Sequence, residues 1–531
     1  MTTFRVLVTD GVSESGLESM REDDRFTVIK VDDSSDPAFA EALTTAHGLV
    51  VRSATKVRGE ILGAAPELRV VGRAGVGVDN IDLAAATERG VAVLNAPAGN
   101  TVSAAELTLA LILSMVRRVA EADASVRSGE WARSRFKGAE LRGRTLGLVG
   151  AGRIGSEVAT RCRAFGMDVI AYDPYLTAER AERLRVKKVE LDEVIEGADV
   201  LSLHVPLTDD TRNLMDASAI ARMTRGAFLV NVARGGVVDE AALAAALESG
   251  HLAGAALDVY VNEPLEQDSP LRNAPNLVLT PHLGASTAEA QELVASEIAE
   301  AVRAALADGD LSRALNAPAI GGEALKELGP LFDLGRRLGR LACGLSRGAI
   351  RSVEIAYSGD SDEALRPLAA YVLIGLLENV VGVGQVNFVS AGHLAQQRGV
   401  DVTRVRRARQ RGYTQALELR IEAEHGESLV AGALLGEGHP RITRIDDYRV
   451  NIHPGRTLIV LTNQDVPGVI GRVGTLLGSH EINIAEYHQA RLTKGGDALA
   501  AVTVDGHVGP DVREALRALD EVSTVSVVQL G

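Results

Sequence analysis

Two kinds of apolar spacing alternate along the first 315 positions of the chain. Short apolar runs recur at Arg5–Asp10, Phe26–Lys30, Gly48–Ser53, Arg69–Gly75 and Val91–Ala96. A second set follows at Thr145–Val149, Asp168–Tyr172, Val200–Val205, Ala227–Val232, Ala255–Asp258 and Leu277–Thr280. Many of these runs are continuous rather than alternating, as expected of strands buried on both faces. Longer stretches with helical spacing separate them, so the pattern predicts βαβ units and parallel sheets. Eleven strands are too many for one compact sheet of this kind, which predicts two doubly wound domains.

The boundary between them falls near Asn100. Ser103-Ala-Ala-Glu106 has the form of a capping box, and the pattern from Leu107 to Ala124 is unusually apolar. A helix apolar around most of its surface must be covered by another domain or subunit. A second helical stretch, Thr287 to Asp308, leads back toward the first domain. From about 320 to 452 helical and strand spacings mix without a readable motif. The last segment, from Arg456, is clearer: strand, helix, strand, strand, helix, strand. That βαββαβ order is the ferredoxin-like plan.

Composition narrows the classes. The 531 residues are 46% hydrophobic and 24% charged, ordinary for a globular protein, and a net charge of −15 argues against a nucleic-acid partner. It does not argue against a small anion, because a few arginines in a cleft outweigh the global field locally. The two cysteines, Cys162 and Cys343, are far apart and outside any metal-ligand spacing, so neither a disulfide framework nor a metal site is expected. The apolar run after Leu107 is too short to span a membrane, and the N-terminus reads as a strand rather than a signal peptide. A cytoplasmic location is expected.

The chemistry begins where the strand Thr145–Val149 runs into Gly150-Ala-Gly152-Arg153-Ile154-Gly155 and then a helix. An acid, Asp173, ends the next strand, 18 residues beyond Gly155. In this setting Gly150 permits a tight turn, Gly152 lets the backbone approach a pyrophosphate, and Gly155 allows close helix–strand packing. The helix N-terminus offers free N–H groups to phosphates. Asp173 would accept hydrogen bonds from ribose hydroxyls and repel a 2′-phosphate, which selects NAD over NADP.

Three later strands end in Asn231-Val-Ala-Arg234-Gly-Gly, Leu257-Asp258-Val-Tyr-Val-Asn-Glu263-Pro and Thr280-Pro-His282. Ligands of open parallel sheets bind beyond the carboxyl ends of strands, so an arginine, a glutamate and a histidine are expected in one cleft. Oxidising a secondary alcohol by hydride transfer needs a base of the pKa of His282. Glu263 would favour its imidazolium, and Arg234 can hold a substrate carboxylate. Asp258 is an alternative contact for the nicotinamide carboxamide.

On these segments the chain resembles the D-2-hydroxyacid dehydrogenase family over roughly residues 1–315. The resemblance implies Arg234, Glu263 and His282 as the catalytic set. It also implies NAD contacts at Arg153, Ile154, Asp173, Thr211, Ala233, Asp258, His282, Leu283, Gly284 and Ala285. Within the family, the segments Val51–Val57, Gly72–Asn80 and Asn95–Thr101 resemble the 3-phosphoglycerate dehydrogenases. Arg52, Ser53, Arg73, Gly75, Val76, Gly77 and Asn100 then become candidate contacts for 3-phosphoglycerate or 3-phosphohydroxypyruvate. Arg133 is expected to reach the phosphate across a dimer interface, with Arg135 an equally basic neighbour.

Residues 456–531 resemble an ACT domain, a small amino-acid-sensing module. Asn463, Asp465 and Asn483 fall where the family binds L-serine, although Asn463 replaces an aromatic or imidazole side chain. The implied division is a flavodoxin-like substrate domain (1–98 plus 287–317), a Rossmann NAD-binding domain (99–286), an intervening α+β domain (318–452) and an ACT domain (455–531). Arg441, Arg444 and Arg449 are candidate anion contacts in the intervening part, and a homotetramer is expected. The alternatives are another D-2-hydroxyacid dehydrogenase or an NADH-responsive binding protein related to the family.

Overall fold

The computed structural model describes residues 3–361, 363–382, 384–408, 413–436, 438–455 and 457–531. Arg456, where the sequence starts its last segment, lies outside the described residues.

All eleven apolar runs of the first part form strands, in two parallel sheets. The first sheet has the order Phe26–Lys30, Phe4–Val8, Gly48–Val51, Val70–Arg73, Ala92–Asn95. The long helix Ala288–Asp308 packs on one face of it, with Val294, Ile298, Ala299 and Val302 joining the core of Val6, Val8, Val50 and Leu94. The second sheet has the order Leu277–Leu279, Gly254–Leu257, Phe228–Asn231, Val200–Leu203, Thr145–Val149, Asp168–Tyr172, Lys187–Lys188. The strand order reverses beside Thr145–Val149, which opens a crevice at its carboxyl end. The two-residue edge strand at Lys187 is too short and too polar to register as an apolar run.

The boundary helix differs from the sequence expectation. It starts at Thr101, ends at Val116, and turns through Arg118 (φ 53°) into a second helix, Val119–Arg127. Ser103 therefore lies inside the first turn, and its hydroxyl meets that of Thr287 at 2.7 Å instead of capping the helix. Ala105, Leu111, Ile112 and Met115 face the core of the second sheet, while Val102, Val119 and Val126 stay exposed.

The unreadable middle segment is a six-stranded mixed sheet carrying the helices Gly329–Leu345 and Leu365–Val381. The helices are joined by a buried carboxylate: Glu378 accepts from Arg336 Nε at 2.7 Å and Arg340 Nε at 2.9 Å. The final segment is a four-stranded antiparallel sheet in the order Ile484–Arg491, Asp497–Val504, Thr457–Gln464, Val522–Gln529, with the helices Val469–Ser479 and Pro510–Arg517 on one face. Its other face is not free. Leu458, Val460, Leu499, Ala501, Val528 and Leu530 share one core with Leu331, Leu338 and Leu341 of the preceding unit, and a Cβ on Gly344 would come within 2.5 Å of Val528. Among the described residues no helix is long and apolar enough to cross a membrane.

Candidate functional site

The glycine loop sits at the reversal point of the second sheet and leads into the helix Arg153–Ala164. Gly150 has φ 98°, and a side chain there would come within 2.5 Å of the His204 carbonyl. A Cβ on Gly155 would collide with the Gly150 carbonyl oxygen. At Gly152 an added Cβ meets nothing within 4 Å, and no side chain caps the helix. The loop therefore has an open side with first-turn N–H groups free of side-chain acceptors, which fits a pyrophosphate. Asp173 braces the loop by accepting from Ala151 N at 2.9 Å and Tyr175 N at 2.8 Å. Arg180, absent from the sequence reading, donates to the Ala151 carbonyl at 3.1 Å. Arg153 reaches the carbonyl of Pro97 at 3.2 Å, and Thr211 caps its own loop through the Pro206 carbonyl at 2.6 Å.

A cleft of about 660 Å³ lies between the two sheets, lined by Arg52, Ser53, Arg73, Glu263, His282 and Ala285 among others. His282 Nδ1 lies 2.7 Å from Glu263 Oε2. Glu263 is fixed by a second bond, from Tyr260 N to Oε1 at 3.1 Å. Burial opposes charge on Glu263, but the hydrogen bonds and charges of His282, Tyr260 and Arg234 outweigh it and hold the carboxyl below its ordinary pKa.

His282 adopts φ 56°, a left-handed conformation uncommon outside glycine and asparagine. Its N–H donates to the Asp258 carbonyl at 2.9 Å. The Asp258 carboxylate is fully buried and accepts from Thr280 Oγ1 (2.6 Å), Leu283 N (2.7 Å) and Gly284 N (2.9 Å). Expected as a cofactor contact, Asp258 is seen holding the 280–284 segment. Burial raises its carboxyl pKa, partly offset by those three donors.

The opposite wall carries the cations. Arg73 forms no ion pair among the described residues, and its Nε is buried without a partner. Burial first, and then the nearby Arg234, push its pKa down to about 10. A Cβ on Gly75 would overlap Arg73 Nη1, and one on Gly77 would overlap Arg234 Nη2. The glycine turn, expected as a substrate contact, thus makes room for two guanidinium groups. Val76 is tied down by Asn95 Nδ2 at 2.6 Å, and Asn231 braces Ala233 and Arg234 through its own side chain. Asp10 accepts from Arg52 N (2.8 Å) and Thr55 N (3.0 Å), while Asn80 donates to the carbonyls of Arg52 and Thr55 at 2.7 Å each. Neither Asp10 nor Asn80 was expected; for Asp10, its position at the end of the first apolar run was the available signal. Asn100 contributes a buried, unpartnered Oδ1. Arg133 is exposed and does not line the cleft of its own chain.

The last sheet does not gather its three candidates. Asn463 is fully buried, with Nδ2 bonded to the Gln464 carbonyl and Oδ1 unpartnered. Asp465 is held by Arg491 (2.9 Å) and Gly495 N (3.1 Å). Asn483 bonds Asp505 at 2.8 Å. The register sets Arg491 and Asn463 opposite Ala498, so Asn483 lies at the far end of the edge strand, roughly 25 Å away at strand rise. In the intervening sheet Arg444 and Arg449 line a cavity of about 450 Å³, whereas Arg441 pairs with Glu486 at 2.7 Å.

Fold and site define an oxidoreductase that acts through an NAD-binding Rossmann domain. Three family models agree: D-isomer specific 2-hydroxyacid dehydrogenase, NAD binding domain, over residues 109–284; D-3-phosphoglycerate dehydrogenase intervening domain over 327–446; and ACT domain over 457–521. The chain is 39% identical to D-3-phosphoglycerate dehydrogenase of Bacillus subtilis (strain 168) over 530 residues, 99% of this chain and 100% of that one. It is 40% identical to D-3-phosphoglycerate dehydrogenase of Archaeoglobus fulgidus, again over 530 residues, with 99% and 100% covered. Among solved structures it resembles the TT0316 protein of Thermus thermophilus (TM-score 0.52, 40% identity, 57% of this chain and 97% of that one). It also resembles D-lactate dehydrogenase of Aquifex aeolicus complexed with NAD and lactic acid (TM-score 0.51, 31% identity, 58% and 97%). The chain belongs to the D-3-phosphoglycerate dehydrogenase family.

Proposed function

We infer that the chain catalyses NAD-dependent oxidation of 3-phospho-D-glycerate to 3-phosphohydroxypyruvate, the first step of L-serine biosynthesis, under feedback by L-serine. The observation that carries this reading is the half-buried Arg73, which forms no ion pair among the described residues, stands with Arg52 in the cleft that holds His282, and has Arg234 close by. Asp79 and Asp10 only partly offset the burial of Arg73 and the repulsion of its neighbouring arginines, and a substrate with both a carboxylate and a phosphate supplies further anions.

The proposed division of labour follows. With Nδ1–H donated to Glu263, His282 presents Nε2 to the cleft as the base that takes the hydroxyl proton. Arg234 holds the carboxylate and polarises the carbonyl in the reverse direction. Arg52, Ser53, Arg73, Asn100 and the Gly75–Gly77 turn hold the remaining anionic oxygens. Bound NAD would supply the hydride acceptor for the carbinol carbon. Gly150 to Gly155 would hold its pyrophosphate, with Asp173 on the ribose; both Asp173 oxygens keep acceptor capacity beyond their present bonds. Repulsion between Asp173 and a 2′-phosphate favours NAD over NADP.

The domain division proposed from sequence (1–98 with 287–317, 99–286, 318–452 and 455–531) gives each sheet one task. A homo-oligomer, proposed as a tetramer, would cover Val102, Val119, Val126 and the 81%-exposed Trp131, and would bring Arg133 to a neighbouring cleft. Asn483 of one copy would meet Asp465 of another if the last sheets pair edge to edge at Ile484–Arg491, which supports a serine site built from two chains. The test is NADH oxidation by the full chain with 3-phosphohydroxypyruvate, with and without L-serine. Turnover suppressed by serine is expected. Turnover indifferent to serine would remove the feedback, and turnover of other 2-oxo acids but not this one would remove the substrate.

A further inference from the structure

Asp79 has no part in the roles assigned above, yet it pairs with Arg234 of the candidate site from the first sheet. It follows the strand Val70–Arg73 of the first sheet, whereas Arg234 follows Phe228–Asn231 of the second. Asp79 Oδ2 stands 3.2 Å from Arg234 Nε. Arg234 Nη1 donates to the Ala233 carbonyl at 2.6 Å. Nη2 lies over Gly77, where a Cβ would crowd it and would also come within 2.8 Å of the Asp79 carboxylate. Asp79 thus stands at Nε and the Ala233 carbonyl takes one Nη1 donor, which leaves the other Nη1 donor and those of Nη2 for another acceptor.

The Asp79 backbone is itself anchored. Its carbonyl accepts from Arg58 Nη2 at 3.2 Å, and the adjacent Asn80 is buried and bonded to two carbonyls. The Asp79 side chain is 68% exposed, so the pair contributes little to folding. What an anchored acceptor does supply is orientation: a free arginine loses rotamer entropy on gripping a carboxylate, and one already held loses less. Asp79 also offsets the repulsion between Arg73 and Arg234, which would otherwise drive the two guanidinium groups apart.

We propose that Asp79 is a positioning residue that clamps Arg234 across the cleft, so that the Nη edge of its guanidinium meets the carboxylate of an incoming 2-oxo or 2-hydroxy acid. The proposal rests on reading Arg234 as the carboxylate-binding residue.

Oxalate, a small mimic of the carboxylate–carbonyl pair, gives a probe that does not depend on turnover. The full chain with saturating NADH is titrated with oxalate by calorimetry, as wild type, Asp79→Ala, Asp79→Asn and each in an Arg234→Ala background. Asp79→Ala should weaken oxalate roughly fivefold, the upper end of what an exposed ion pair is worth. Asp79→Asn keeps an oxygen beside Nε but not the charge, and should restore only part of that loss. Neither change should matter once Arg234 is gone. Equal affinity in wild type and Asp79→Ala, equal losses with and without Arg234, or no oxalate binding by the wild type would each overturn the assignment. In parallel turnover assays, a rise in KM for 3-phosphohydroxypyruvate with kcat nearly unchanged supports it. Oxalate results as expected, with no turnover of that substrate, would support the clamp and overturn the substrate reading alone.

Discussion

His282 combines two properties seldom found together: a left-handed backbone and a carboxylate partner at 2.7 Å. Replacing it with alanine should lower kcat at least ~100-fold, the low end for losing a general acid–base. Near-normal kcat by steady-state assay would remove it from the reaction. Asp173→Ala should weaken NADH more than NADPH in fluorescence titrations, since only the former loses a ribose contact without losing a repulsion. Unchanged preference would assign Asp173 to bracing the loop alone. His204 gives a pH test. Burial pushes its pKa down from 6.5 to about 4, so the unfolded chain takes up this proton before the folded one does. Stability present above pH 6.5 is then lost as pH falls toward about 4, by up to roughly 3 kcal/mol. His204→Gln should flatten that part of the urea-midpoint profile; an unaltered profile would show that other groups carry it. At this scale the sequence was legible in placement, with His282 meeting Glu263 and Asp173 standing beside the glycine loop. It was silent on Asp79, Tyr260 and Asn95, because a surface carboxylate, a tyrosine or an asparagine serves too many ends for its type to announce a role.

Elements were legible according to how they bury themselves. Strands covered on both faces leave unbroken apolar runs, and all eleven are present. The capping-box pattern at Ser103 misled because Glu106 pairs with Arg161 of the neighbouring helix at 3.6 Å and the true start is fixed by the loop at Asn100. The intervening sheet escaped notice for a different reason. Its strands pair mostly antiparallel across hairpins, and its order is set by the helix pair behind it rather than by any local signal. That helix pair carries its own prediction. Glu378 is 1% exposed and serves two arginines, so Glu378→Ala should destabilise by about 3 kcal/mol, the cost of leaving buried charge unpaired. A denaturation midpoint within error of the wild type would mean that Arg336 and Arg340 simply turn to solvent.

At the scale of the whole molecule, the separation of Asp465 from Asn483 within one chain is informative. If serine is read between two copies, Asp465→Ala and Asn483→Ala should each abolish inhibition alone. Mixed oligomers of the two variants should regain part of it, because some interfaces then carry both intact residues. No recovery on mixing, with exchange verified by mass spectrometry, would place the effector elsewhere.

The core shared by Leu338, Leu341, Val460 and Val528 bears on how such proteins can be recombined. Motif matches draw a seam between 446 and 457, yet the packing runs straight across it. A chimera that imports only the last sheet from a relative must match an apolar surface evolved against a different partner, whereas one joined near Ile320 inherits both halves of a mated pair. The last two sheets therefore travel together, with Val389 and Asn387 tying the first of them to the N-terminal sheet, and a fragment ending before Thr457 should collect in the insoluble fraction rather than emerge as a smaller enzyme.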